Sequence, residues 1–307
     1  MGGNVETALR QAAATLQRAG IERARVEAEL LLAHRLGMKR LGLLAHPERE
    51  LTAAEAESFE ALVRRRAQRF PLPYLTGERE FMGLRFEVNP DVLIPRPETE
   101  VLVEAAIAAL RTRHEAAAGT PDAAHLLAVD VGTGSGAIAV SLAHFVPQAR
   151  VLATDLSVEA CAVARRNAAA LGVAERVTVF SGDLLAPLAA ECGPGVPPSR
   201  RATVICANLP YIPTENRAAL APEVRDWEPS LALLGGPGGL EVVARLLEQA
   251  PDYLCPGGRL FLEIGPEADQ AGRLVAQLEA AGGWQEVAVL PDLAGLTRVV
   301  TATRHTA

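Results

Sequence analysis

Aromatic residues are scarce, with 7 Phe, 2 Trp and 3 Tyr in 307 residues, so each is a candidate for a role beyond filling a core. The four cysteines, Cys161, Cys192, Cys206 and Cys255, lie far apart with no paired metal-ligand spacing. That pattern argues against a metal or disulfide framework and predicts reduced thiols in a cytoplasmic protein. None of the six histidines has a His, Cys or carboxylate partner at a metal-ligand interval, so no metal is expected. No apolar run reaches the about 20 residues that a membrane-spanning helix needs, so no membrane association is expected. The N-terminus lacks a basic-then-apolar signal pattern, and residues 1–20 read instead as an amphipathic helix. Neither an internal repeat nor a low-complexity tract interrupts the chain.

The apolar share of 49% and charged share of 22% match an ordinary globular protein, and the length suggests two domains. The net charge of -7 is uneven: residues 1–85 carry a net +3 and residues 86–307 a net -10. A large acidic domain is a poor partner for a phosphate backbone, which argues against direct nucleic-acid binding.

Residues 1–73 read as a helical N-terminal domain. Leu9 and Leu16 pattern one helix, and Val26, Leu30, Leu31, Ala33 and Leu36 a second. Thr52 with Glu55 forms a capping-box signature ahead of Phe59, Leu62 and Val63. Gly20 and Gly37 stand where helices should stop, and Arg64–Arg66 reads as a solvated helix end. Pro71 and Pro73 break the helical pattern. Residues 74–95 read as a hairpin connector with turns at Gly77 and Gly83, and a helix from about Glu98 to Arg113 begins a third region, 96–307. A polar and small-residue stretch follows at Glu115–Ala124. Strand and helix then alternate, with strand runs at Leu126–Val131, Arg150–Thr154, Val177–Phe180, Thr203–Cys206 and Arg259–Ile264. Two closing strands, Gln285–Leu290 and Thr297–Thr301, predict a terminal hairpin. The fold class is therefore α/β: a mostly parallel, Rossmann-like sheet with one antiparallel strand at or near an edge.

Three constellations carry chemistry. The loop Gly132-Thr133-Gly134-Ser135-Gly136 follows Asp130 where a strand becomes a helix, and its glycines allow a tight turn and close approach to a ligand. Gly132, Gly134 and Ala137 also satisfy a dinucleotide fingerprint, so a nicotinamide enzyme is a rival at this point. Asp155 ends the next strand, where a carboxylate accepts hydrogen bonds from paired ribose hydroxyls. Asp183, after the third strand, is placed to hold an adenine amine. The tetrad Asn208-Leu209-Pro210-Tyr211 follows the strand Thr203–Cys206. An Asn oxygen, a backbone carbonyl and an aromatic face there suit a planar NH2 group, which hydride transfer does not require.

With these residues in place, the chain resembles the HemK-type protein-(glutamine-N5) methyltransferases, S-adenosylmethionine enzymes that modify peptide chain release factors. Arg25–Leu32, Gly77–Leu84, Trp227–Pro229, Gly235–Leu240 and Leu262–Gly265 carry the likeness over nearly the whole chain, and Pro95–Glu100 is its most family-specific piece. The resemblance implies that Gly132–Gly136 wrap the methionine end of S-adenosyl-L-methionine, that Asp155 takes the ribose, and that Asp183 and Leu184 lie near the adenine. It assigns Asn208 through Tyr211 to the glutamine, with Asn208 also beside the cofactor and Arg96–Thr99 bordering the pocket. The implied substrate is the Gly-Gly-Gln glutamine of class-1 release factors. Three departures stand out: Leu209 replaces the first of two prolines, Leu184 replaces an aromatic, and Glu191–Arg201 forms a longer surface loop. The rival functions are adenine-N6 methylation of RNA or DNA, glutamine methylation of a ribosomal protein, and a non-catalytic nucleotide-binding module.

Overall fold

A computed structural model describes residues 3–117, 125–266 and 269–306, in two compact units. The polar stretch read at Glu115–Ala124 lies outside the described residues from 118 onward.

The N-terminal unit contains α1 (Val5–Arg18), α2 (Ala24–Arg35), α3 (Arg40–Ala45), α4 (Ala53–Ala67) and α5 (Leu72–Thr76). Side-chain caps start two of these helices, α1 and α4: the Asn4 side chain accepts from the Thr7 N–H at 3.0 Å. Thr52 and Glu55 close the capping box in both directions, through 3.2 and 2.8 Å bonds. Leu9, Leu16, Leu31, Leu32, Phe59 and Val63 form the core. The buried stripe of α2 is rotated from the expected one, with Leu32 inside and Leu30 37% exposed.

Two further expectations need correction. Proline ends one helix but opens another, because Pro73 sits in the first turn of α5, where a missing N–H costs nothing. Tyr74 is therefore helical rather than extended. Arg66 is no solvated end either: it is 5% exposed. Its guanidinium donates to Glu27 at 2.5 Å and to Glu223 at 3.0 Å. Glu223 belongs to a short helix, Pro222–Trp227 (α10 in chain order), which the contacts group with the N-terminal unit despite its distance in sequence. Arg69 also donates to Glu223, at 2.7 Å, and Trp227 meets Phe70 edge-on at 4.9 Å.

The second unit opens with a hairpin of β1 (Glu78–Phe81) and β2 (Leu84–Glu87), turned at Met82 and Gly83, both at positive φ. Phe81 and Phe86 are buried edge-to-face in the core. Then follow α6 (Thr99–Ala116), β3 (Leu127–Val131), α7 (Ala137–Phe145), β4 (Arg150–Asp155), α8 (Val158–Ala170), β5 (Val177–Ser181), α9 (Ala189–Cys192) and β6 (Ala202–Ala207). The unit closes with α11 (Glu241–Tyr253), β7 (Leu254–Glu263), α12 (Gln270–Ala281), β8 (Trp284–Pro291) and β9 (Thr297–Arg304).

The strands form one sheet in the order β5-β4-β3-β6-β7-β9-β8. All pairs are parallel except those of β9, which runs antiparallel to β7 and β8. The terminal hairpin and the single antiparallel strand next to the edge thus follow the sequence reading. Strand alternation serves both faces: Ala128, Val151, Val204 and Phe261 pack into one core layer, and Val129, Leu152, Ile205 and Leu260 into the other. Chain order reverses between β3 and β6, so the carboxyl ends of β3, β4 and β6 surround a crevice, the usual ligand position in open α/β sheets. The four cysteines are free and buried. Among the described residues, no helix is long and apolar enough to cross a membrane.

Candidate active site

At that crevice lies a cavity of about 450 Å³. Gly132 and Gly134 after β3, Asp155 at the end of β4, Asp183 and Leu184 after β5, and Asn208, Leu209 and Pro210 after β6 all line it. Four loops distant in sequence thus converge on one space. Thr133, Ser135 and Gly136 stand behind the lining. The Thr133 hydroxyl donates to Asp130 Oδ2 at 2.6 Å, the Ser135 carbonyl accepts from Asn167 at 2.8 Å, and Gly136 precedes α7 at φ 82°.

The glycine loop is not a phosphate cradle. The Gly132 and Thr133 N–H groups donate to the Thr154 carbonyl at 2.8 and 2.9 Å, Gly136 donates to the Thr133 carbonyl, and Gly134 donates to Asp155 Oδ2 at 2.8 Å. Four of the five loop donors that a pyrophosphate would need are therefore engaged. The wall carries four carboxylates, Asp91, Asp155, Glu159 and Asp183, against one cation, Arg245, which is itself paired with Asp183. Such a lining opposes a dinucleotide and suits a cationic ligand with hydroxyls to donate. Leu156 and Leu231, 56% and 57% exposed, supply apolar surface for a flat ring system. The donors and the space thus fit S-adenosylmethionine. Close approach is built in at Gly132, at φ +75°, where an added Cβ would lie 2.9 Å from Leu209 Cδ2.

Burial shapes the acids. Asp130 is fully buried, which pushes its carboxyl up to about 7 against the hydrogen bonds from Thr133 and the Ala139 N–H. Its Oδ1 has no partner among the described residues. Burial also raises Asp155, against backbone N–H bonds from Ser157, Gly134 and Leu156.

The tetrad is divided. Asn208 Nδ2 donates to Thr99 Oγ1 at 3.1 Å, which ties it to the first residue of α6 and to the Pro95–Glu100 segment. That segment is held in turn by Glu228, whose buried carboxylate accepts from Arg96 at 2.5 Å and from the Ile94 N–H at 3.1 Å. Tyr211, by contrast, is outside the cavity lining. Its ring lies against Gly265 and its hydroxyl donates to Glu263 Oε1 at 3.4 Å. Sequence reasoning missed the residues that shape this turn. Gln270 bridges it, accepting from the Gly265 N–H at 2.9 Å and donating to the Tyr211 carbonyl at 2.7 Å.

The run Gly235–Gly239 is a turn packed behind the tetrad. An added Cβ on Gly239, at φ +80°, would lie 2.1 Å from the Tyr211 carbonyl oxygen. Gly239→Ala is therefore expected to displace the tetrad and lower turnover by about 10². A variant with parent-like single-turnover rates would contradict that packing role.

Residues 7–77 match the family model described as the PrmC N-terminal domain, and residues 128–227 that described as a methyltransferase domain. Together with the sheet order and the acidic cavity, these define an S-adenosylmethionine-dependent methyltransferase. The release factor glutamine methyltransferase of Moorella thermoacetica is 46% identical over 97% of this chain and 98% of its own length. That of Cereibacter sphaeroides is 45% identical over 96% of each. The chain belongs to the release factor glutamine methyltransferase family. Among solved structures, the hMettl16 catalytic domain in complex with MAT2A 3'UTR hairpin 1 shares the fold, with a TM-score of 0.54 at 16% identity over 85% of this chain and 84% of that one.

Proposed function

We propose that this enzyme methylates the side-chain amide nitrogen, N5, of the glutamine in the Gly-Gly-Gln motif of class-1 peptide chain release factors. The observation that carries the reading is the Asn208 amide, fixed by Thr99 at the mouth of an acidic cofactor cavity. The family relatives named for this reaction support it.

In this reading Asp155 accepts from the ribose hydroxyls, Leu184 and Leu156 flank the adenine, and Gly132 and Gly134 border the methionine end. Bound S-adenosylmethionine supplies an electrophilic methyl group on a sulfonium. The glutamine nitrogen is a weak nucleophile because its lone pair is conjugated with the carbonyl. Asn208 Oδ1 and the Leu209 carbonyl accept its two N–H groups, which orients the nitrogen and stabilises positive charge growing on it. Among the described residues the Leu209 carbonyl accepts no hydrogen bond, so it is free for this task. Tyr211 then supports the turn from behind, through Glu263 and Gln270, rather than stacking from within the cofactor cavity. The N-terminal helical domain, without a catalytic motif, is assigned to docking the folded release factor. The setting is the cytoplasm, with no direct nucleic-acid substrate.

Leu209→Pro is expected to keep turnover within about threefold of the parent, because the carbonyl remains and the following proline already restricts residue 209 to extended angles. Leu209 is buried in the core, so the lost packing should cost about 1–2 kcal/mol of stability. A loss of turnover with stability unchanged would contradict this division between backbone and side chain.

The substrate assignment is tested by offering labelled cofactor with release factor, ribosomal proteins or RNA in parallel. Methyl incorporation into release factor is expected. Incorporation into RNA, or into none of the three, overturns the proposal.

A further inference from the structure

Lone apolar side chains on a surface need no explanation, but their distribution here does. Among the described residues of the second unit, the exposed large apolar side chains are Leu156, Val158, Leu231, Val289, Leu293 and Leu296. All of them stand at the carboxyl edge of the parallel strands. Leu156 and Val158 follow β4, and Leu231 lines the cavity. Val289 pairs with Val300, itself level with Leu262 near the end of β7, and Leu293 and Leu296 belong to the turn between β8 and β9. Among the described residues, the opposite edge carries none.

That turn is built to hold its shape. Asp292 Oδ1 accepts from the Ala294 and Leu296 N–H groups, both at 2.9 Å. The Asp292 N–H donates to the Leu296 carbonyl at 2.8 Å, and the Asp292 carbonyl accepts from the Gly295 N–H at 2.9 Å. Asp292 Oδ2 accepts from Arg298 Nε at 2.8 Å, in a largely buried ion pair. A turn pinned this way loses little freedom on binding. Its one acid is neutralised by the pair, while Leu293 stands fully exposed and Leu296 nearly half exposed.

The turn also adjoins the tetrad. The Arg298 carbonyl, just past it, accepts from the Ile264 N–H at 2.9 Å, and the next residue, Gly265, lies against the Tyr211 ring. In the order β5-β4-β3-β6-β7-β9-β8, the cofactor cavity lies over the ends of β3, β4 and β5, and the turn stands at β9 and β8, beyond β6. A polypeptide that presents a glutamine at Asn208 therefore has the β7–β8 side left for its flanking chain. At about 4.8 Å per strand, the turn is roughly 10–15 Å from Asn208, or about three to five extended residues. We propose, resting on the substrate reading above, that Asp292–Leu296 is a docking element for the release factor. Leu293 and Leu296 seat on apolar surface of the domain that carries the Gly-Gly-Gln loop.

The test follows methyl transfer to intact release factor at varied concentration with saturating S-adenosylmethionine. It compares the full-length parent with Leu293→Ser, Leu293→Met and Leu293→Ser/Leu296→Ser. A fully exposed side chain supports no packing, so Leu293→Ser should fold and bind cofactor within about threefold of the parent. Its KM for release factor should rise about tenfold, the scale of one lost apolar contact, and outweigh any change in kcat. The double variant should rise further, and Leu293→Met, which stays apolar, should remain within about threefold. Parent-like KM in either serine variant, an equal rise in Leu293→Met, or a loss confined to kcat would each overturn the proposal. A parent dimer that Leu293→Ser dissociates with KM unmoved, read by light scattering, would give the turn to a second copy of this chain and overturn it too. Each of these outcomes leaves the substrate reading standing so long as the parent methylates the release factor. A parent that leaves it unmethylated overturns that reading, and the docking role with it.

Discussion

Replacing Asn208 with alanine is expected to lower turnover by about 10²–10³, the usual cost of losing one preorganised hydrogen-bonding group at a transition state. Asn208 follows β6 directly and lines the cavity, held by Thr99 rather than by core packing. Truncation therefore removes the acceptor for the amide hydrogens without opening a hole in the sheet. Cofactor affinity should change little by comparison, because Asp155 and the glycine loop remain. Single-turnover methyl transfer and calorimetric cofactor binding, measured on the same preparation, separate the two effects. A folded variant that methylates glutamine within a few-fold of the parent rate would refute the assigned role.

The second large effect belongs to Asp155. Its carboxylate receives the Gly134 N–H on Oδ2 at 2.8 Å and the Ser157 N–H on Oδ1 at 2.9 Å, with lone pairs left for a ribose. Asp155→Ala removes the ribose acceptor and frees the loop at the same time. Cofactor binding should weaken by roughly 1.5–3 kcal/mol, or about 10- to 150-fold, the scale for hydrogen bonds to a charged group. Asp155→Asn should rescue poorly, because its NH2 end would face one of the two N–H donors. Calorimetry with S-adenosylmethionine measures this directly. Affinity within threefold of the parent, or tight binding of a nicotinamide dinucleotide, would contradict the assignment.

Much of the site was legible because it is written in short-range chemistry. The glycine loop and Asn208 directly follow strands, and Asp155 ends one, whose apolar runs are plain in the sequence, and parallel sheet order brings those strand ends together. What was not legible depends on contacts between distant positions. Gln270 and Glu263 look like ordinary helix-start and strand-end residues, and only the folded chain puts them behind Tyr211. The sequence reads Tyr211 as an aromatic face for the substrate group; that its ring also lies against Gly265, where the missing side chain makes room, is visible only in the folded chain. Arg66 reads as one of three solvated arginines until Pro222–Trp227 brings Glu223 beside it, 157 positions away in sequence. The dinucleotide fingerprint shows the opposite limit. It matched, but the loop's N–H groups are engaged by Thr154 and Asp155, a fact of geometry rather than of spacing.

Peptide-level mass spectrometry of a class-1 release factor, after incubation with this enzyme and S-adenosylmethionine, tests the central claim most directly. The account predicts a single added methyl group on the Gly-Gly-Gln glutamine, absent when Asn208→Ala replaces the parent enzyme. A release factor left unmodified, or one methylated on another residue while that glutamine stays untouched, would contradict it.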